Sequence, residues 1–239
     1  MKIIWHTEDD ALSLAESLAS EIANQLNQSL ADRGSAVLAL SGGSTPKPMF
    51  AALATQKVDW SKVVVTLVDE RWVDESHALS NAAFLRKYFL DALASQATFL
   101  PLYKSADGVE DSFKHVLDAY CQITNSSPDQ PRPFDVVILG MGDDGHTASF
   151  FPDASNIDAL VDSSTENLLA SCYSKSSQVQ RITWTLKMLL QPSYLALHFT
   201  GSIKKQVFEK AQVAGELSEL PIRSAIFQDQ TPLHVYYAD

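Results

Sequence analysis

The sequence predicts one α/β domain built on a mostly parallel sheet with helices on both faces. Three observations predict it. Short apolar, often β-branched runs alternate along the chain with stretches of helical periodicity. Several of those runs end in glycine-rich or charged turns that open helices, which is how parallel strands are connected. No internal repeat or low-complexity tract divides the 239 residues, and the one linker-like stretch, the polar and proline-rich residues 125–133, is short enough to be a surface loop. Residues 1–239 therefore read as a single domain.

Each element has its own signal. Residues 2–6 form a short strand, and Thr7-Glu-Asp-Asp10 resembles a helix start with a capping hydroxyl and acids in the first turn. Leu14, Leu18, Ile22, Leu26 and Leu30 recur every four residues, an apolar stripe on a helix that Gly34 ends. Ala36-Val-Leu-Ala-Leu40 is a buried strand, and a helix over 46–54 follows it, proline being tolerated in a first turn. Val63-Val-Val-Thr-Leu-Val68 is the next strand, and Ser80-Asn81 opens another helix carrying Ala83, Phe84, Tyr88 and Leu90. Residues 98–103 predict a strand, 109–124 a helix and Val136-Val-Ile-Leu139 a buried strand. A weaker strand at 168–172 precedes Arg181-Ile-Thr-Trp184, which leads into a helix stopped by Pro192. A strand over 194–200, a helix over 203–213 and a strand over 233–237 complete the alternation.

Composition narrows the function. Apolar residues make up 46% and charged ones 20%, ordinary for a chain that buries a core. A net charge of −11 argues against a nucleic-acid or anionic-membrane binder, so any cations holding an anionic ligand must be gathered locally. Two distant cysteines, Cys121 and Cys172, make neither a disulfide framework nor a zinc cluster, which favours a reducing compartment. The opening residues lack the long apolar core of a signal peptide, and no run approaches the ~18 residues of a membrane span. A soluble, cytoplasmic protein is expected.

In parallel sheets ligands bind beyond the carboxyl ends of the strands, and three predicted strands end in unusual chemistry. Ser41-Gly-Gly-Ser-Thr-Pro46 can turn successive N–H groups, the Ser44 and Thr45 hydroxyls and a helix N-terminus toward one anion, although a plain strand-to-helix turn with a capping hydroxyl has the same composition. It lacks the lysine of a nucleotide P-loop. Asp69-Glu-Arg71 places both signs of charge at a strand end, as a surface ion pair or as a fork for a carboxylate, phosphate or oxyanion. Gly140-Met-Gly-Asp-Asp-Gly-His146 contains G-x-G-x-x-G, but Asp143 and Asp144 would occupy the pyrophosphate position, so a dinucleotide site is rejected. His146, two residues after Asp144, is a candidate general base oriented by a carboxylate. Arg181, Lys204 and Lys205 read as solvated surface charge unless a phosphate must be held. His77, His115 and His198 lack a comparable setting, and no spacing suggests a metal site.

In order along the chain, Ser41-Gly-Gly-Ser-Thr-Pro46, Asp69-Glu-Arg-Trp72, Ser80-Asn81, the segment from Gly140 through Gly145-His-Thr-Ala-Ser149 to Pro152, Arg181-Ile-Thr183 and Thr200-Gly-Ser-Ile-Lys204 together resemble the 6-phosphogluconolactonase family. The resemblance implies a single Rossmann-like three-layer α/β domain, shared with glucosamine-6-phosphate isomerases. It implies an esterase without metal or cofactor that hydrolyses 6-phospho-D-glucono-1,5-lactone in the oxidative pentose phosphate pathway. It implies His146 as general base with Asp144 beside it, Arg71 as a substrate-contacting cation, and Gly42, Gly43, Ser44, Thr45, Arg181 and Lys204 around the phosphate. Helix geometry lets only one of Lys204 and Lys205 face the pocket. Two alternatives remain in the same resemblance, an amino-sugar phosphate isomerase-deaminase and a non-catalytic sugar-phosphate sensor. The isomerase family carries an acid after the histidine where this chain has Ser149-Phe-Phe-Pro152, and a sensor would be expected to have lost His146 or the phosphate loop.

Overall fold

Alternating apolar runs build a seven-stranded parallel sheet, with a smaller antiparallel sheet beside it. A computed structural model describes residues 2–91, 94–105 and 108–239. In chain order its first elements are β1 (Ile3–Thr7), α1 (Ala11–Arg33), β2 (Ala36–Leu40), α2 (Lys47–Ala54), β3 (Val63–Leu67), β4 (Asp69–Arg71), α3 (Asn81–Leu85) and β5 (Thr98–Leu100). There follow α4 (Phe113–Thr124), β6 (Val136–Leu139), α5 (Ile157–Leu160), β7 (Leu169–Tyr173) and β8 (Gln180–Trp184). The last are α6 (Leu186–Leu189), β9 (Tyr194–Thr200), α7 (Ser202–Ala211), α8 (Arg223–Phe227) and β10 (Leu233–Ala238).

The large sheet runs β1-β10-β9-β6-β2-β3-β5, with every neighbouring pair parallel. All residues of β2, β3 and β6 are buried, so both faces of the central strands are covered. The leucine stripe of α1 packs across β2, β6 and β10 and against α2. Gly34 ends α1 as expected, its N–H bonded to the Leu30 carbonyl. The helix start differs from expectation. Thr7 belongs to β1, and Asp10 is the cap, its carboxylate accepting from the N–H groups of Leu12 (2.8 Å) and Ser13 (2.9 Å).

Two further departures bear on the site. Asp69-Glu-Arg71, expected at the end of a strand, is a short strand of its own, and Arg181-Ile-Thr-Trp184 is itself a strand before it leads into α6. They pair antiparallel in the order β4-β8-β7. Both strands are too short, and β4 too polar, to announce themselves by period. What holds them is a long-range ion pair and backbone pairing. The helix after Ser80 is also shorter than its apolar pattern suggests, giving way to a π-helical turn at Arg86–Leu90.

Candidate active site

After β2 the chain proceeds to β3 and β5 on one side, and after β6 it proceeds to β9 and β10 on the other. The winding therefore reverses between β2 and β6, which opens a crevice beyond their carboxyl ends. Ser41 joins the two loops at the base of this crevice. Its hydroxyl donates to the Ile138 carbonyl (2.9 Å) and accepts from the Gly140 N–H (3.1 Å). A cavity of about 310 Å³ lies there, in the range of small-molecule sites. Its wall includes Gly42, Gly43, Ser44, Thr45, Asp69, Arg71, His146, Arg181, His198 and Lys204.

The turn after β6 is shaped around His146. The Gly142 N–H donates to the His146 carbonyl (2.9 Å), and the Gly145 N–H donates to the Gly142 carbonyl (3.0 Å). His146 Nδ1 lies 2.5 Å from Asp144 Oδ1, which also accepts the His146 N–H at 3.1 Å. Burial, the largest influence on Asp144, pushes its carboxyl pKa up. The hydrogen bonds and charge of His146 outweigh it, so the net shift is downward and the carboxylate stays ionised at neutral pH. A carboxylate only accepts, so in the neutral imidazole the proton sits on Nδ1 and the Nε2 lone pair is free. The ring stacks on Phe151, centroids 4.1 Å apart. Asp144 does not itself line the cavity.

The small antiparallel sheet supplies two of the cations. Arg71 and Arg181 are directly opposite each other in the β4–β8 register, an arrangement that like charges disfavour unless something offsets it. Buried Asp69 lies 3.2 Å from Arg181 Nη1 and accepts the Ser149 hydroxyl at 2.5 Å. The Arg181 guanidinium lies over the ring of Phe151, 4.7 Å from its centroid, so one aromatic ring supports both the cation and His146. Arg71 is held by Nη1 donating to the carbonyl of Leu79 (2.8 Å) and to Asn81 Oδ1 (2.7 Å). Burial lowers its pKa, with Asp69 opposing. The Nε atoms of both arginines are buried without a partner among the described residues.

Glu70, between the two cavity residues of β4, is fully buried and organises what surrounds Arg71. Its carboxylate accepts from the N–H groups of Arg71 (2.7 Å), Asn81 (2.8 Å) and Ala82 (2.7 Å), and from the Ser80 hydroxyl (3.2 Å). Burial pushes its pKa up, and the three N–H donors work against that. Asn81 continues the chain of contacts, its Nδ2 donating to the Asp69 carbonyl at 3.1 Å. Gly42 is where this support meets the loop after β2. A Cβ there would lie 2.1 Å from Asn81 Oδ1, so only glycine lets the loop close onto Asn81.

The loop at 41–46 leads into α2 with Pro46 at the cap position and no side-chain cap bond. Among the described residues the Ser44 and Thr45 hydroxyls have no hydrogen-bond partner, and both residues line the cavity. Lys204 lines it as well, whereas Lys205 turns away, its Nζ 4.8 Å from the Tyr237 ring centroid. Three cations and one carboxylate thus line a cavity in a chain of net charge −11. Among the described residues no three His, Cys, Asp or Glu side chains are grouped to hold a metal ion, and no helix is long and apolar enough to cross a membrane.

Every candidate from the sequence other than Asp144 lines this one cavity, and Asp144 stands one hydrogen bond behind it. Glu70, Asn81, Ser149, Phe151 and His198 were not anticipated as parts of the site. Glu70 and Asn81 stood inside quoted motifs, but their contacts cross turns that periodicity does not describe. His198 lacks a motif in the sequence, but in β9 it stands between Leu197 and Phe199, two positions before the strand ends.

The family model for glucosamine-6-phosphate isomerases/6-phosphogluconolactonase matches residues 9–234. The chain is 39% identical over 234 residues to a 6-phosphogluconolactonase of Mesorhizobium japonicum, covering 98% of this chain and 94% of that one. It is 38% identical over 238 residues to a 6-phosphogluconolactonase of Rhizobium meliloti, covering 100% of both. The crystal structure of a 6-phosphogluconolactonase from Shewanella baltica OS155 superposes with a TM-score of 0.91 at 33% identity, over 100% of this chain and 98% of that one.

Proposed function

Since the chain belongs to the glucosamine-6-phosphate isomerase/6-phosphogluconolactonase family, we infer that it hydrolyses 6-phospho-D-glucono-1,5-lactone to 6-phospho-D-gluconate, the second step of the oxidative pentose phosphate pathway. The observation that carries the mechanism is the His146–Asp144 pair facing a cavity lined by three cations. A lactone is already a reactive ester, so water can attack it without a covalent nucleophile. His146 Nε2 takes a proton from water as its oxygen bonds to C1. The tetrahedral oxyanion then collapses, the bond from C1 to the ring oxygen breaks, and His146 returns the proton to that oxygen. Asp144 keeps the imidazole in the required tautomer and stabilises its protonated form. Arg71 is the candidate for the developing oxyanion, being held in advance by Leu79 and Asn81. Gly42, Gly43, Ser44, Thr45, Arg181 and Lys204 form the phosphate end, which converts remote binding energy into placement of C1 beside His146.

Asp69 accepts from Ser149 and pairs with Arg181, which leaves His146 as the proton-transfer group of the cavity and favours hydrolysis over isomerisation. Because the site draws on residues from 41 to 204, the chain works as one functional unit. A reducing, cytoplasmic location accords with Cys121 and Cys172 both being unpaired. The test is a rate measurement on freshly made 6-phosphogluconolactone against its spontaneous background, with glucosamine 6-phosphate in parallel. His146→Ala is expected to lower kcat by about 10²–10⁴-fold while 6-phosphogluconate still binds. An unaltered kcat in that variant would overturn the mechanism. A wild-type rate no faster than buffer would overturn the activity.

A further inference from the structure

The Ser41 hydroxyl, Asp69, Arg71, His146 and Arg181 each have at least one hydrogen-bonded or ionic partner within the protein. His198 has none among the described residues. It lies near the end of β9, its residue only 4% exposed, between the apolar Leu197 and Phe199. What exposure it keeps is to the cavity, of which it forms part of the wall. A nearly buried imidazole with no protein partner is costly unless its nitrogens meet solvent or a ligand, and the cavity is where they can do so. Burial and, secondarily, the charge of Lys204 push its pKa down to about 4. Near neutral pH it therefore carries no charge and offers one N–H donor and one acceptor nitrogen. Lys204 belongs to the first turn of α7, which follows β9 through Gly201. Strand end and helix start thus bring an imidazole and an ammonium group to one cavity, together with the free hydroxyls of Ser44 and Thr45.

We propose that His198 is a specificity-determining residue of this reaction, donating a ring N–H to the 6-phosphate of the substrate beside Lys204. A phosphate monoester offers acceptor oxygens to every donor in reach, and a donor fixed in a strand loses little freedom on binding it. The identity of the phosphate rests on the lactonase reading, whereas the contact itself can be tested by binding alone. A histidine present only to fill the strand would make no distinction between phosphorylated and unphosphorylated ligands.

The variants are His198→Leu, which removes both nitrogens, and His198→Asn and His198→Gln, whose carboxamides reach approximately the positions of Nδ1 and Nε2. Titrations with 6-phosphogluconate and with inorganic phosphate are compared with the ratio of kcat/KM on 6-phosphogluconolactone to that on glucono-1,5-lactone. For His198→Leu both dissociation constants are expected to rise by about 10-fold or more, and the kinetic ratio to fall by a similar factor, mainly through KM. One of the two carboxamide variants is expected to recover most of that loss. Equal losses on the phosphorylated and unphosphorylated lactones, or phosphate affinities within about twofold of wild type in His198→Leu, would overturn the proposal. If His198→Leu does not fold, the carboxamide pair decides: a difference between them in phosphate affinity supports the contact, and equal affinities overturn it. A wild-type protein without lactonase activity would defeat the functional reading alone, since the titrations still report on His198.

Discussion

Replacing Gly142 with alanine tests whether the position of the His146 ring limits the reaction. Gly142 is not in the left-handed region of backbone space, so alanine introduces no backbone strain there. The added Cβ would lie 2.2 Å from both Cε1 and Nδ1 of His146 and 2.7 Å from Asp144 Oδ1. Carbon contacts settle near 3.5 Å, so the ring must retreat by about 1.3 Å. That movement separates Nδ1 from Asp144 and lifts the imidazole off Phe151. A displacement of about 1 Å at a catalytic group costs on the order of 10²-fold in rate, or about 2.7 kcal/mol of transition-state stabilisation. Stability should change by less than about 1 kcal/mol, because the half-buried ring can swing outward rather than unfold the turn. Initial rates of acid release from 6-phosphogluconolactone, corrected for spontaneous hydrolysis, should show the loss in kcat with KM little altered. A folded Gly142→Ala protein with kcat/KM within about threefold of wild type would refute the reasoning.

Two further outcomes follow from buried groups. Glu70→Gln replaces a carboxylate that accepts from three N–H groups and a hydroxyl by a carboxamide with a single acceptor oxygen. We expect a loss of about 1–3 kcal/mol in denaturant unfolding and a lowered kcat through displacement of Arg71 from the developing oxyanion, and unchanged values of both would contradict the support described for that arginine. His198 gives a pH dependence of stability. Its folded pKa lies below the 6.5 of the unfolded chain, so its contribution is complete above pH 6.5 and is lost as the pH falls toward about 4. At about 1.4 kcal/mol per pH unit this amounts to roughly 3 kcal/mol. His198→Leu should therefore lose less stability than wild type between pH 7 and 4.5 in thermal unfolding, and parallel curves would contradict it.

The large sheet was legible because its central strands are buried on both faces and so read as continuous apolar runs, Val63 to Leu67 most plainly. The helix of Leu14, Leu18, Ile22 and Leu26 was legible for the complementary reason, one stripe facing one sheet. The small sheet was not. Asp69 and Arg181 are 112 residues apart, and the energy that makes Asp69-Glu-Arg71 a strand comes from contacts across that separation rather than from local apolar pattern. The wall of the candidate site was legible on irregular turns, at 41–45 and 140–146, most of whose residues line the cavity. It was obscure where a residue supports another, as Glu70 and Asn81 support Arg71, because the sequence shows a carboxylate or an amide without showing which donors it will meet. His198 failed for a different reason. An isolated histidine in a strand carries no motif, and only the cavity beside it distinguishes it from core.

The pairing of β1 with β10, Ile3 beside Leu233, sets an order in time. A ribosome adding about 5–20 residues per second makes the first of these strands on the order of ten seconds or more before β10, its neighbour in the sheet, exists. Strands β2 and β3 can pair early, but β6, β9 and the helix bearing Lys204 are needed before a phosphate could be held. During synthesis the nascent chain thus carries the 41–46 loop long before it has a pocket, and β1 must stay unmated with its edge exposed. Lys204, the last residue of the cavity wall to be made, precedes β10, so the wall of the site is complete in sequence before the strand that covers β1 closes the sheet.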